Sequence, residues 1–150
     1  MTGITVGFDG SHGAQRAVEW ALREASVHRA PLTVLAVHPV AASGWTGSPI
    51  MLPPDETAVQ QARQAADEAV AKASAELGDS GAPSVQVRAL SGFPVEELIT
   101  ASANADLIVV GSRGSSPFQR LLLGSVSAAV LHHAHCPVVV VPDSKQATSG

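Results

Sequence analysis

The sequence predicts an α/β protein in which helices cover both faces of a parallel β-sheet. Short runs of β-branched residues alternate along the 150-residue chain with longer segments whose apolar residues recur at helical spacing. This alternation is typical of parallel sheets with helical crossovers. Two of the runs, LIVV and VVVV, are apolar at every position, as in strands buried on both faces. Because crossovers are right-handed and connections short, we predict a doubly wound, three-layer sandwich with a five-stranded parallel sheet.

The first half of the chain supplies two strands and two helices. Strand one is predicted over residues 4–8 and strand two over residues 32–37. Helix one lies between them, with Ser11 as its N-cap and apolar residues at helical spacing. Residues 39–54 are rich in Gly, Ser and Pro, and we predict a long loop that covers a site or meets a partner. Helix two is predicted over about residues 55–77.

The second half continues the alternation. We predict strand three over residues 84–90, helix three over 95–102, strand four over 106–110, helix four over 125–133 and strand five over 138–141. Residues 1–142 are therefore expected to form one domain, and the polar residues 143–150 to form a flexible tail.

Composition and charge exclude several classes of protein. Apolar residues make up 45% of the chain and charged residues 15%, so a disordered chain is excluded. The net charge of −4 offers no basic face for nucleic acid. Cys136 is the only cysteine, which excludes an internal disulfide and fits a reducing compartment. No apolar run approaches membrane-spanning length and no leader is recognisable, so we expect a soluble, cytoplasmic protein that does not bind membranes.

The end of strand one carries the first candidate binding residue. In doubly wound sheets, ligands bind beyond the carboxyl ends of the strands, where the strand order reverses. Asp9 stands there and can accept hydrogen bonds from ribose hydroxyls or from an adenine amino group. Asp9-Gly10 is also a common turn pair, so a turn residue is an equal interpretation.

The segment between strand four and helix four predicts a phosphate site. Gly111-Ser112-Arg113-Gly114 follows strand four directly, and after nine residues Gly124-Ser125 opens helix four. Glycine lets the backbone approach a phosphate closely, and the free amides at a helix start bind anions. The hydroxyls of Ser125 and Ser127 can donate there, and the guanidinium groups of Arg113 and Arg120 can meet phosphate charge. The alternative is a glycine-punctuated loop in which Ser125 is an ordinary helix cap.

These two motifs together resemble the universal stress protein family. GFDGS at the end of strand one and Gly-x2-Gly-x9-Gly-Ser after strand four are most similar to its nucleotide-binding branch, and the resemblance covers residues 3–142. It implies a Rossmann-like, adenine-nucleotide-binding fold with strand order 3-2-1-4-5. It also implies ATP as ligand, with or without Mg²⁺, and a dimer.

The resemblance and the motifs together assign twelve positions to nucleotide binding. Asp9 and His38 would hold the adenosine part, although the family often has an aliphatic residue where His38 stands. The full set is Gly7, Asp9, His38, Val110, Gly111, Arg113, Gly114, Arg120, Gly124, Ser125, Val126 and Ser127.

The sequence contains no motif typical of other nucleotide-binding sites or of hydrolases, and no pattern that favours a metal site. The P-loop, the nicotinamide-type Rossmann fingerprint and the hydrolase nucleophile elbow are absent from the sequence. His132, His133, His135 and Cys136 are metal-ligating types, but neighbouring side chains diverge on a helix and histidines favour its C-terminus. We therefore assign no metal site and no catalytic residue.

The apolar strand five raises the question of a partner. At the edge of the sheet its unpaired backbone groups would invite association, so residues 138–141 are predicted to pair with the same strand of a second copy.

Three functions remain open. The first is an ATP-binding regulator in a stress or dormancy response, acting on an unknown protein partner; the stress role follows from the resemblance alone. The second is a weak ATPase or autophosphorylating enzyme. The third is a dimeric interaction protein that binds AMP or cyclic AMP.

Overall fold

The computed structural model describes residues 3–43, 49–51, 55–78, 84–112 and 124–143. Strands and helices alternate through these residues as the sequence predicts. The elements are β1 (Ile4–Phe8), α1 (His12–His28), β2 (Leu32–Pro39), β3 (Ala41–Ser43), β4 (Pro49–Met51), α2 (Glu56–Leu77), β5 (Val85–Gly92), α3 (Pro94–Ser102), β6 (Leu107–Gly111), α4 (Ser125–His133) and β7 (Val138–Val141).

The main sheet has five parallel strands in the order β5-β2-β1-β6-β7. Numbered within this sheet alone, the order is 3-2-1-4-5, which confirms the prediction. The chain leaves β1 towards β2 on one side and returns to β6 on the other. The strand order therefore reverses between β1 and β6, and the carboxyl ends of β2, β1 and β6 lie side by side.

The predicted loop over residues 39–54 is only partly a loop. Residues 41–43 and 49–51 pair as two short antiparallel strands, with Ala42 opposite Ile50. Gly, Ser and Pro in this segment suggested irregular backbone, but an antiparallel pair satisfies backbone N–H and C=O groups locally whatever the side chains are. Residues 44–48 and 52–54 lie outside the described part of the chain, as do residues 144–150 of the predicted tail.

The core lies on both faces of the sheet. Alternate β2 residues point to opposite sides, so Val34 and Ala36 pack with α1 and α2, whereas Leu35 packs with the α3 and α4 side. Ile108 and Val110 of β6 belong to this second cluster. The burial of β6 on both faces explains its continuous apolar sequence.

The helix starts follow the capping rules. Ser11 accepts a hydrogen bond from the N–H of Ala14 on its Oγ at 3.1 Å, which confirms it as the N-cap of α1. Asp55 does the same for Ala58 at 3.0 Å, so it caps α2 rather than forming its first residue. None of the described helices is long and apolar enough to cross a membrane.

Candidate functional site

A cavity of about 460 Å³ opens at the carboxyl edge of the sheet, at the point where the strand order reverses. The ends of β1, β2 and β6 form its floor, and α1, α2, α3 and α4 supply its walls. Nine of the twelve predicted residues line it: Gly7, Asp9, His38, Val110, Gly111, Gly124, Ser125, Val126 and Ser127. Arg113, Gly114 and Arg120 lie outside the described residues.

Asp9 forms a turn and also lines the cavity, so the turn does not exclude a binding role for this residue. Its Oδ1 accepts a hydrogen bond from the N–H of Ser11 at 2.9 Å, and Gly10 takes the positive φ of 85° that the turn requires. Within the described residues the other carboxylate oxygen, Oδ2, has no hydrogen-bond partner. Asp9 is exposed and can accept a hydrogen bond from a hydroxyl or amino group through that oxygen.

The start of α4 lines the same cavity on the β6 side of β1, opposite to β2. Gly124 donates its N–H to the carbonyl of Ser112 at 2.7 Å, and the buried Ser127 donates its hydroxyl to the carbonyls of Gly124, at 3.1 Å, and Ser112, at 3.4 Å. The Gly124 N–H and the Ser127 hydroxyl, both predicted to bind phosphate, are therefore already hydrogen-bonded within the chain. The amides of the first helical turn have no partner inside the helix, and the exposed Ser125 adds a hydroxyl. The anion-binding capacity of this end therefore comes from the first-turn amides and Ser125.

His38 lies at the opposite end of the cavity. It is the second-to-last residue of β2, is half-buried, and pairs in register with Ser91 of β5. β1 separates β2 from β6 by two strand spacings, about 10 Å, and Gly111 is level with Ala36 rather than with His38. His38 therefore lies two residues further along its strand and about 12 Å from Gly111.

Sequence reasoning missed the helical walls of the cavity. Ala14, Ala62, Ala65, Pro94 and Leu98 line it, yet alanines and leucines on an inner helix face look like ordinary core residues. Pro94 offered one signal, because it follows β5 by two residues and a residue soon after a parallel strand lies near the carboxyl edge of the sheet.

The histidines near the end of α4 do not converge. The rings of His132 and His133 are 6.4 Å apart and tilted, and the described residues contain no group of three or more side chains able to hold a metal ion. Cys136 is half-buried, and burial raises the pKa of its thiol. The Asp106 charge adds to this effect, and a hydrogen bond from the Ile108 backbone opposes it.

A parallel, doubly wound sheet with a cavity at its strand-order reversal belongs to the class of α/β proteins that bind ligands at this edge. A profile of the Universal stress protein family matches residues 1–142, and the chain belongs to this family. A universal stress protein of Mycolicibacterium smegmatis (strain ATCC 700084 / mc(2)155) is 39% identical over 145 residues, covering 97% of this chain and 49% of the relative. The chain thus spans about half the length of the curated relatives it matches.

Two solved structures extend the comparison. Universal stress protein UspA from Lactobacillus plantarum has a TM-score of 0.70 at 26% identity, over 92% of this chain and 95% of that chain. A universal stress protein crystallised in complex with cAMP has a TM-score of 0.66 at 28% identity, over 94% of this chain and 96% of that chain.

Proposed function

We propose that the chain binds an adenine nucleotide, ATP in the first instance, in the cavity at the carboxyl edge of the sheet. The observation that carries this proposal is the convergence of nine predicted residues from four separate elements on one cavity. A carboxylate lies beyond β1 and helix amides lie beyond β6, so a sugar and a phosphate find complementary groups at adjacent strand ends. The cAMP complex of a relative with the same fold supports an adenine nucleotide as the ligand class.

The role of such binding is regulation. Within the described residues Asp9 is the only carboxylate that lines the cavity, and the chain already holds one of its oxygens, so we expect ATP hydrolysis to be slow. Occupancy would then be the signal, read by a protein partner in a stress response in the cytoplasm. Mg²⁺ would accompany the phosphates without a protein ligand set among the described residues.

Gly124→Arg tests the site. Gly124 has φ −64° and ψ 159°, values open to any residue, so the new side chain brings no backbone strain. Because Gly124 lines the cavity, we expect the arginine to fill the phosphate end. The loss of one or two hydrogen bonds to a charged phosphate, at about 1.5–3 kcal/mol each, should weaken ATP binding about a hundredfold in calorimetry.

Val27→Arg is the matched control. Val27 is 75% exposed on α1 and does not line the cavity, so the variant adds the same charge away from the site. Equal ATP affinity in Gly124→Arg and Val27→Arg, with both variants folded by circular dichroism, would refute the site.

Cyclic AMP or AMP is the second candidate ligand, and the cAMP complex of a relative favours it. A ligand that binds the native state raises the melting temperature in proportion to the logarithm of its concentration over Kd. A thermal-shift series with ATP, ADP, AMP and cAMP therefore ranks the four nucleotides. The proposal for ATP fails if cAMP or AMP shifts the melting temperature and ATP does not.

The edge strand β7 is the proposed homodimer contact. The carbonyls of Pro137 and Val141 accept hydrogen bonds from Ile108 of β6 and from Ser112 directly after it, so the even-numbered residues of β7 direct their backbone groups away from the sheet. Val140→Pro removes one outward N–H at an edge that tolerates proline. Light scattering should show a dimer for the wild type and a monomer for the variant; a dimeric variant would exclude this strand as the contact.

A further inference from the structure

His38 places a titratable group at the end of the cavity farthest from the amides of α4. Side chains alternate along β2, so His38 shares a sheet face with Val34 and Ala36, which pack towards α1 and α2. Ala62 and Ala65 of α2 line the same cavity. Because these two α2 residues are alanines, the cavity beside the imidazole has space for the ring of a base.

The polar groups at this end have no partner within the described part of the chain. The half-buried His38 imidazole makes no hydrogen bond there, whereas the unpaired Oγ of Ser91, its in-register neighbour on β5, belongs to a second cavity. A ring nitrogen that lines the cavity without a protein partner is available to a ligand. The unpaired imidazole therefore offers a ligand a donor and an acceptor.

Phosphates and base occupy different ends of the cavity if a nucleotide binds there. The anion-binding amides begin α4, after β6, and His38 lies at the end of β2, on the other side of β1. Asp9 stands between them at the end of β1, at the place of the sugar. His38 consequently meets the base and not the phosphates.

We propose that His38 makes base selection depend on its protonation state: it accepts adenine when neutral and favours a 6-oxopurine when protonated. This inference rests on the proposed nucleotide site. A neutral imidazole has one donor and one acceptor nitrogen, and only its acceptor can take a hydrogen bond from the 6-amino group of adenine. The imidazolium has two donors and no acceptor, so it favours the O6 acceptor of hypoxanthine or guanine. Imidazole is the side chain that changes charge between pH 5 and 8, so the preference depends on pH.

The charged groups on the elements around His38 are as follows. Asp9, directly after β1, lines the same cavity, and Asp55, the N-cap of α2, lines a second cavity with Glu56, Arg63 and Ser91. From α3, the Glu97 carboxylate approaches Gly92, the residue after Ser91. From β5, Arg88 pairs in register with Leu35 and so belongs to the opposite face of the sheet. Residues 39–54 contain no ionisable side chain. Among the described residues, His38 is the only histidine that lines the nucleotide cavity.

The test compares ATP with inosine triphosphate at pH 7.5 and 5.5 by calorimetry. The two nucleotides carry the same triphosphate, so titration of the phosphates cancels in the ratio of their dissociation constants. One hydrogen bond is worth about 0.5–1.5 kcal/mol, or roughly a threefold to tenfold change in binding. We expect the wild-type preference for ATP to fall by about threefold to tenfold between pH 7.5 and 5.5.

Three variants identify the residue responsible. His38→Asn keeps a donor and an acceptor but does not titrate, so its ATP preference should be independent of pH. His38→Leu should lose the preference at both pH values. His12→Asn is the matched control: His12 is exposed and lies outside the cavity, so this variant should keep the wild-type pH dependence.

The outcomes separate the two proposals. If both nucleotides bind and the ratio ignores pH, or changes with pH equally in His38→Asn, the role of His38 is refuted while the nucleotide site stands. If neither nucleotide binds to folded wild-type protein, the proposed function itself fails and the inference fails with it.

Discussion

Gly7 lies where α3 packs against β1, and Gly7→Ala tests whether this contact sets the width of the cavity. A Cβ at position 7 would lie 3.2 Å from Cδ1 and 3.3 Å from Cδ2 of Leu98. Carbon atoms pack best at about 3.5–4.0 Å, so Leu98 must move by a few tenths of an ångström. Overpacking costs about 1–3 kcal/mol, and the loss of unfolded-state entropy on replacing glycine returns about 0.4–1 kcal/mol. We expect a net loss of about 1 kcal/mol, or about 3 °C in Tm for a chain of this size.

A double-mutant cycle with Leu98→Ala isolates the contact. Leu98 is 4% exposed, so Leu98→Ala alone should cost about 2–5 kcal/mol. In that background the Cβ at position 7 has room, and Gly7→Ala should become neutral or slightly stabilising in urea denaturation. The same cost of Gly7→Ala in both backgrounds would refute the packing argument. Leu98 also lines the cavity, so Gly7→Ala should weaken nucleotide binding several-fold as Leu98 is displaced into it.

Two further predictions concern the far end of α3 and α4. The buried Ser102 Oγ donates to the Ile99 carbonyl at 2.6 Å and accepts from the His135 N–H at 2.8 Å. Ser102→Ala leaves that N–H without its partner and should lower the free energy of unfolding in urea by about 1–3 kcal/mol. An unchanged midpoint would contradict this. Burial raises the pKa of the Cys136 thiol, so the free energy of unfolding should fall as pH rises above the thiol pKa of the unfolded chain, about 8.5. For the same reason iodoacetamide should alkylate the folded protein more slowly than the denatured one. Cys136→Ala should decline less in Tm between pH 8 and 10; an equal decline would show that another group is responsible.

The sequence predicts best those elements whose pattern and boundaries have separate chemical signals. β1, α4 and β7 begin and end at the predicted residues because a turn, a helix-opening glycine and Pro142 delimit them. β2 runs two residues past its predicted end and β5 extends from 85 to 92, because pairing with a neighbouring strand continues beyond the apolar run. This extension matters, since it brings His38 and Ser91 into the sheet, where their side chains take a defined face.

The strand ends and the helix start that line the cavity were predictable from the sequence, whereas its helical walls and its hydrogen bonds were not. Asp9, Gly111 and Gly124 follow from their positions at strand and helix ends, which any doubly wound sheet brings to one edge. Which hydroxyl or amide remains available depends on three-dimensional partners that have no local signature. Ser127 shows the difference: its position predicts a phosphate donor, and its hydroxyl bonds to two backbone carbonyls of the chain itself.

Ser112 explains how the start of α4 is held in place beside the sheet. Its N–H donates to the carbonyl of Val141 at 2.8 Å, and its carbonyl accepts from the N–H of Gly124 at 2.7 Å. One residue therefore joins the end of β6 to the edge strand β7 on one side and to the first turn of α4 on the other. These two backbone hydrogen bonds place the first turn of α4 beside the carboxyl end of β6. The two ends of the proposed nucleotide site are thus connected through the sheet, because Asp9 follows β1 and the start of α4 is bonded to Ser112, directly after the neighbouring strand β6.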